Sequence, residues 1–139
     1  MLAPKKVKYR KWHTMRKNPK KVGNATRGTT VAFGSFGIKA LAPMRIRSNQ
    51  IEAARKVLSK SIGKTGRLWI RIFPDMPYTA KPAEVKLGKG KGDLQGYVAP
   101  VRAGTVIFEV DGVTPAVAKE ALRKAGTKLP VKVKIVSRM

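Results

Sequence analysis

Three places in this chain hold residue types that could do chemistry. Gly63-Lys64-Thr65 carries the ending of a phosphate-binding loop, in which glycine amides and a lysine grip nucleotide phosphates. Glu109 and Asp111 stand two residues apart and could act as a hydrolytic carboxylate pair. Gly88-Lys-Gly-Lys-Gly92 alternates a residue whose backbone N–H can approach a phosphate closely with one that supplies charge. Only the third meets its own requirements. A phosphate-binding loop needs a glycine five residues before Gly63, where Leu58 stands, and a strand before it rather than a helix. The glycines at 88–92 lack the spacing of a dinucleotide fingerprint. The two carboxylates read as the polar rim of a strand end. His13 has no nearby carboxylate to orient it as a general base. With no cysteine and one histidine, neither a thiolate nor a histidine metal cluster can be built, and no cofactor or small-molecule substrate is expected. The chain is read as a non-enzyme, with a nuclease based on Glu109 and Asp111 as the catalytic rival.

What remains is charge. Thirty-one lysines and arginines face seven acidic residues, a formal net charge of +24 at pH 7. Residues 1–28 hold ten of the cations and no acid. An ordinary solvated surface interleaves both signs. An imbalance of this size repels itself, so a polyanion belongs to the working state, and the economical one is nucleic acid. No apolar run approaches the ~20 residues of a membrane helix, and no membrane partner is expected. The Lys-rich opening reads as part of the mature protein rather than as a targeting peptide.

Elements must hold these cations in place. Residues 1–28 are aperiodic and are read as a basic extension; residues 29–139 are read as one domain. Thr29–Phe33 reads as a strand, followed by a bend at Gly34–Gly37 and an extended piece over Ile38–Ala42. Residues 49–62 read as a helix capped by Asn49 with Glu52, with Ile51, Ala54, Leu58 and Ile62 on its apolar face and Gly63 as its stop. Leu68–Phe73 reads as a central strand, which assigns Trp69 and Phe73 to the core. The 22 residues 74–95 form a long Gly/Lys-rich loop with little regular pattern, and such loops are usually functional or disordered. Tyr97–Val101 and Thr105–Val110 read as a hairpin across Arg102–Gly104. A second helix runs from the Thr114 cap and Pro115 to Gly126, with Val117, Ala121, Leu122 and Ala125 inward. Val131–Val136 closes the sheet. The expected fold is α+β, a two-layer sandwich of mostly antiparallel sheet covered by two helices.

Several blocks then carry a family resemblance. They are the opening Met1-Leu-Ala-Pro-Lys-Lys-Val-Lys-Tyr-Arg-Lys11, Phe33-Gly-Ser-Phe-Gly-Ile-Lys39 and Gln50-Ile-Glu-Ala-Ala-Arg55. The most specific are Leu68-Trp-Ile-Arg-Ile-Phe-Pro-Asp75 and Lys81-Pro82 through Gly88-Lys-Gly-Lys-Gly92; Val110-Asp-Gly-Val113 completes the set. Together they make the chain similar, nearly end to end, to the family of bacterial-type ribosomal protein sixteen of the large subunit. The resemblance implies binding to large-subunit (23S-type) ribosomal RNA near the aminoacyl-tRNA site and peptidyl transferase region, with a part in late assembly. The implied partners are that RNA, tRNA in the aminoacyl site with the peptidyl site as a second candidate, and other large-subunit proteins. The implied location is the cytoplasmic ribosome, with an organelle ribosome left open.

The resemblance implies that the tail and the basic helix face hold ribosomal RNA; the candidate cations are Lys5, Lys6, Lys8, Arg10, Lys11, Arg16, Lys17 and Arg27 in the tail, with Arg45, Arg47, Arg55, Lys56 and Lys60 on the domain. The loop facing RNA and tRNA carries Lys81, Lys86, Gly88, Lys89, Gly90, Lys91 and Gly92. Where the family usually has Arg-Met before the loop glycine, this chain has Lys86-Leu87, so a contact there is a point charge rather than a bidentate fork. Tyr9 and Trp12 are candidate base-stacking residues. The rival of another class is a basic architectural DNA-binding protein that wedges Pro82 or Leu87 into a minor groove.

Overall fold

The computed structural model describes residues 1–13, 22–82, 88 and 90–138. Among these the order is β1 (Phe36–Ala40), β2 (Met44–Arg47), α1 (Ser48–Ile62), β3 (Arg67–Ile70), β4 (Met76–Ala80), β5 (Asp93–Val101), β6 (Val106–Asp111), α2 (Pro115–Gly126) and β7 (Val133–Ser137). The strands form a four-stranded sheet in the order β3-β6-β1-β7 and a three-stranded sheet in the order β2-β5-β4. Every pairing is antiparallel. The fold is α+β, as expected, but with two sheets where one was anticipated.

Both helices form for the reasons their sequences give. In α1, Ile51, Ala54, Leu58 and Ile62 recur every three or four residues and are buried. Full burial of one such side chain contributes about 1.5–3 kcal/mol. The cap lies two residues before the expected one: the Gln50 side chain accepts the Arg47 amide at 2.9 Å. Gly63, at φ 68°, ends the helix as predicted, its N–H reaching the Ser59 carbonyl. In α2, Thr114 Oγ1 accepts the Val117 amide at 3.4 Å and Pro115 occupies the first turn. The inward face is Ala118, Ala121, Leu122 and Ala125; Val117 is 41% exposed, so that one expectation is wrong.

One face of the four-stranded sheet packs into the core through Ile38, Ala40, Phe108 and Val110, with Leu68, Ile70, Val133 and Ile135 around them. Register fixes the rest. Gly37 and Trp69 both lie opposite Glu109, and Lys39 lies opposite Lys134. These residues therefore share the other face, away from the core.

Four strand expectations need correcting. Thr29–Phe33 is not a strand; it leads into β1 as a strap across the outer face. β3 is an edge strand rather than a central one, since β6 lies between it and β1. It also stops at Ile70, leaving Phe73 46% exposed. β5 and β6 do not pair, because each joins a different sheet and Arg102–Gly104 is a corner between sheets. There the Gly104 amide donates to Ala40 and the Ala40 amide to Thr105. Finally, part of the expected 74–95 loop is strand: β4 and β5 pair from Met76 opposite Val98 to Ala80 opposite Asp93. Pro77 is tolerated because β4 is an edge strand.

Candidate nucleic-acid interface

Candidate cations occur at four places, and the structure brings two of those together. In the tail, Lys5, Lys6, Lys8 and Arg10 are exposed and Lys11 is half-buried. The Lys8 ammonium lies 5.5 Å from the Tyr9 ring. Lys11 Nζ reaches the Lys91 carbonyl at 3.5 Å, and Lys91 Nζ donates to the Trp12 carbonyl. The tail therefore lies against the β4–β5 connection. Tyr9 and Trp12 keep 62% and 39% of their surfaces exposed, so both retain area for a partner. Arg27 is exposed beside Gly28, whose carbonyl accepts the Val106 amide. Arg16 and Lys17 lie outside the described residues.

In the β4–β5 connection, Lys81 is half-buried and Lys91 exposed. Gly88 and Gly90 have φ of 106° and 91°, conformations L side chains rarely adopt, and open space surrounds both. Gly92 differs. A Cβ there would sit 2.7 Å from the Ala80 carbonyl, so its smallness closes the stem of the hairpin. Lys86 and Lys89 lie outside the described residues.

On β2, alternation places Arg45 and Arg47 on the exposed side and Ile46 in the core. The Arg47 guanidinium lies 5.4 Å from the Tyr78 ring, a cation–π contact that steadies it at the surface. On α1, Lys56 and Lys60 are exposed. Arg55 is different: it pairs with Glu52 one turn earlier, at 2.5 and 3.1 Å. The hydrogen bond from Arg55 holds the Glu52 carboxyl below its ordinary value. Arg55 thus carries a compensated charge, whereas Lys56 and Lys60 make no ion pair among the described residues.

Two features escaped the sequence reading. Glu109 is fully buried rather than part of a polar rim. One carboxylate oxygen accepts the successive amides of Ala32, Phe33 and Gly34 at 2.9, 2.8 and 3.0 Å; the other pairs with Arg71. Burial pushes this carboxyl up, but the Gly34 amide, Arg71 and the Phe33 amide outweigh it and hold the group below its ordinary value. Asp111 accepts from Ser35 Oγ and the Gly112 amide, each at 2.8 Å. Both carboxylates are thus committed to fastening the strap, which removes them as a hydrolytic pair. The second feature is aromatic. Trp69, expected in the core, faces outward and stacks on Phe33 with centroids 6.2 Å apart at 19°. The Arg71 guanidinium lies 5.1 Å from the same Phe33 ring. The only sequence hint was Arg71, the one charged residue within Leu68–Phe73.

The arrangement exposes cations on the tail, on β2 and on α1, and holds Glu109 and Asp111 in internal bonds. Comparison with known proteins makes this specific. The family described as ribosomal protein L16p/L10e matches residues 4–136. A large ribosomal subunit protein uL16 from Rhodopseudomonas palustris (strain BisB18) is 53% identical over 139 residues, covering 100% of this chain and 98% of the relative. Proteins of the same name from Zymomonas mobilis and Thermosipho melanesiensis are 50% and 53% identical, covering 100% and 99% of this chain and 94% of each relative. The chain belongs to the L16p/L10e family: it is a ribosomal protein of the large subunit, not an enzyme. Among the described residues no helix is long and apolar enough to cross a membrane.

Proposed function

We propose that this chain fastens large-subunit ribosomal RNA near the aminoacyl-tRNA site and the peptidyl transferase region, supporting subunit assembly and tRNA accommodation. The extension over residues 1–28 and the β4–β5 connection carry most of that task, and Arg45, Arg47, Lys56 and Lys60 add a rigid cationic surface on the domain. The observation that carries the reading is the meeting of the acid-free tail with the Gly/Lys connection at Lys11, Trp12 and Lys91. Two segments that would repel one another in isolation lie side by side, which calls for an anionic partner between or across them. Gly88 and Gly90 carry no side chain and have open space around them, so phosphates can approach the backbone closely there.

The mechanism is electrostatic. Each phosphate neutralised releases condensed counterions, so affinity for a large-subunit rRNA fragment falls with salt at a log–log slope of roughly 0.7–0.9 per contact. Filter binding of the full chain should give a slope of several units; a flat titration up to physiological salt rejects the proposal. Competition with duplex DNA separates it from the architectural DNA-binding alternative, and preference for structured RNA is expected.

A further inference from the structure

We infer that Phe33, Trp69 and Arg71 form a stacking platform for an unpaired RNA base, a contact that rests on the ribosomal RNA-binding reading above and deepens it. The three side chains come from two segments far apart in sequence. Phe33 is on the strap; Trp69 is on β3, and Arg71 follows two residues after it with the same alternation. The stack of Trp69 on Phe33 and the placement of Arg71 at 5.1 Å from the Phe33 ring hold the phenyl ring against two planar groups of one extended segment. Even so, Phe33 is 55% exposed. A large ring held in place yet left open to water is poorly explained by packing alone, because its burial contributes little to the fold.

The backbone beneath the ring is unusually well secured. The amides of Ala32, Phe33 and Gly34 all end on Glu109, and Gly34 passes so close to β6 that a Cβ would meet the Val110 carbonyl oxygen at 2.6 Å. Glu109 also pairs with Arg71. One buried carboxylate therefore sets both the strap that carries Phe33 and the guanidinium beside it. Such a ring is pre-organised, and stacking on it orders little further.

The surroundings select the partner. On this outward face Arg67, Lys39 and Lys134 accompany Arg71, while the two acids of the face, Glu109 and Asp111, are spent on internal hydrogen bonds. Aromatic rings on a face whose cations outnumber its acids suit a base with its flanking phosphates, since any base offers a π-face and the phosphates meet the cations. A protein partner's apolar patch would leave those cations desolvated.

The test uses the full chain with Trp12→Phe, which leaves Trp69 as the sole tryptophan. Its emission is followed during titration with a single-stranded RNA oligonucleotide and, separately, with linear polyphosphate of matched charge. RNA should quench Trp69 and polyphosphate should not. Phe33→Ala should weaken RNA binding roughly five- to 150-fold while leaving polyphosphate binding unchanged, and Phe33→Tyr should restore it. Equal quenching by both polymers, or an unchanged RNA affinity in Phe33→Ala, overturns the platform while leaving the electrostatic reading intact. Failure of the unaltered chain to bind either polymer overturns both. Should Phe33→Ala misfold, ultraviolet crosslinking of the unaltered chain in assembled subunits decides instead. Nucleotide adducts on the tryptic peptides that carry Phe33 or Trp69 are expected, and adducts confined to other peptides refute the assignment.

Discussion

Glu109 and Arg71 form an ion pair on the outer face of the four-stranded sheet, where Glu109 is fully buried and the Arg71 side chain is 19% exposed. The pair joins β6 to the end of β3, and the three amides on the other carboxylate oxygen join both to the strap. An ion pair in this position is not by itself a stabiliser, because desolvating both charges opposes their attraction. What makes it worthwhile is that all the partners are present at once. Removing one leaves several buried groups without a partner.

Glu109→Gln is therefore expected to destabilise the domain by about 3 kcal/mol, within the range for breaking a buried pair from one side. An amide can still accept from the strap with its oxygen, but its NH2 then points at Arg71, donor against donor. Urea denaturation of the full chain measures the loss, and an unchanged midpoint would refute the role given to this carboxylate.

The same group sets a pH dependence. Its carboxyl is held below the ordinary glutamate value in the folded state, so the unfolded chain takes up the proton first as pH falls. The stability Glu109 contributes is thus fully present above the ordinary value near 4.5, and is lost as pH drops through the folded one. Acid unfolding followed by circular dichroism should be shallower in Glu109→Gln than in the unaltered chain. Parallel curves would assign the acid sensitivity to other carboxylates.

How far sequence carried depends on where each element finds its partners. Both helices were legible because their apolar spacing and stops are local: Ile51 to Ile62 with Gly63, and Thr114 with Pro115. The strap was not, since its amides end on a side chain 75–77 residues away. Local alternation suggested a strand there, and the carboxylate that replaced a ladder partner gave no local sign. Arg102–Gly104 is short enough for either a hairpin or a corner between sheets, and only the competing partners of β5 and β6 decide. Pro77 hid β4, because a proline argues against a strand unless that strand lies at an edge. Of the site, the cations were legible as composition and spacing. Their pairing was not: Arg55 is compensated by Glu52 where Lys56 and Lys60 are not.

Glycines separate fold from function. Gly34→Ala places a Cβ 2.6 Å from the Val110 carbonyl oxygen, and backbone cannot yield as a flexible side chain would. A loss of about 1–3 kcal/mol in denaturation is expected, typical of overpacking. At Gly90 an added Cβ would meet nothing within 4 Å, and the cost of Gly90→Val is the local strain of a φ of 91° in a connection away from the core. That variant should melt like the unaltered chain yet impair subunit assembly or tRNA accommodation in reconstituted particles. Full function in such particles would remove the connection from the proposed interface.

The cations of α1 allow a last discrimination. Lys56→Ala and Lys60→Ala should each lower the salt slope of rRNA binding by about one if each side chain neutralises a phosphate. Arg55→Ala should lower it less, because the guanidinium is already engaged by Glu52 at 2.5 Å and its removal also releases an acid that repels RNA. Glu52→Gln completes the comparison. It frees Arg55 without changing the helix, so it should raise the affinity for RNA and steepen the slope. Slopes measured across the four variants should then order as Glu52→Gln steepest, Arg55→Ala next, and the two lysine variants shallowest. If Arg55→Ala instead matched the lysine variants, the pair with Glu52 would have to open on binding, and the helix would present three cations to RNA rather than two.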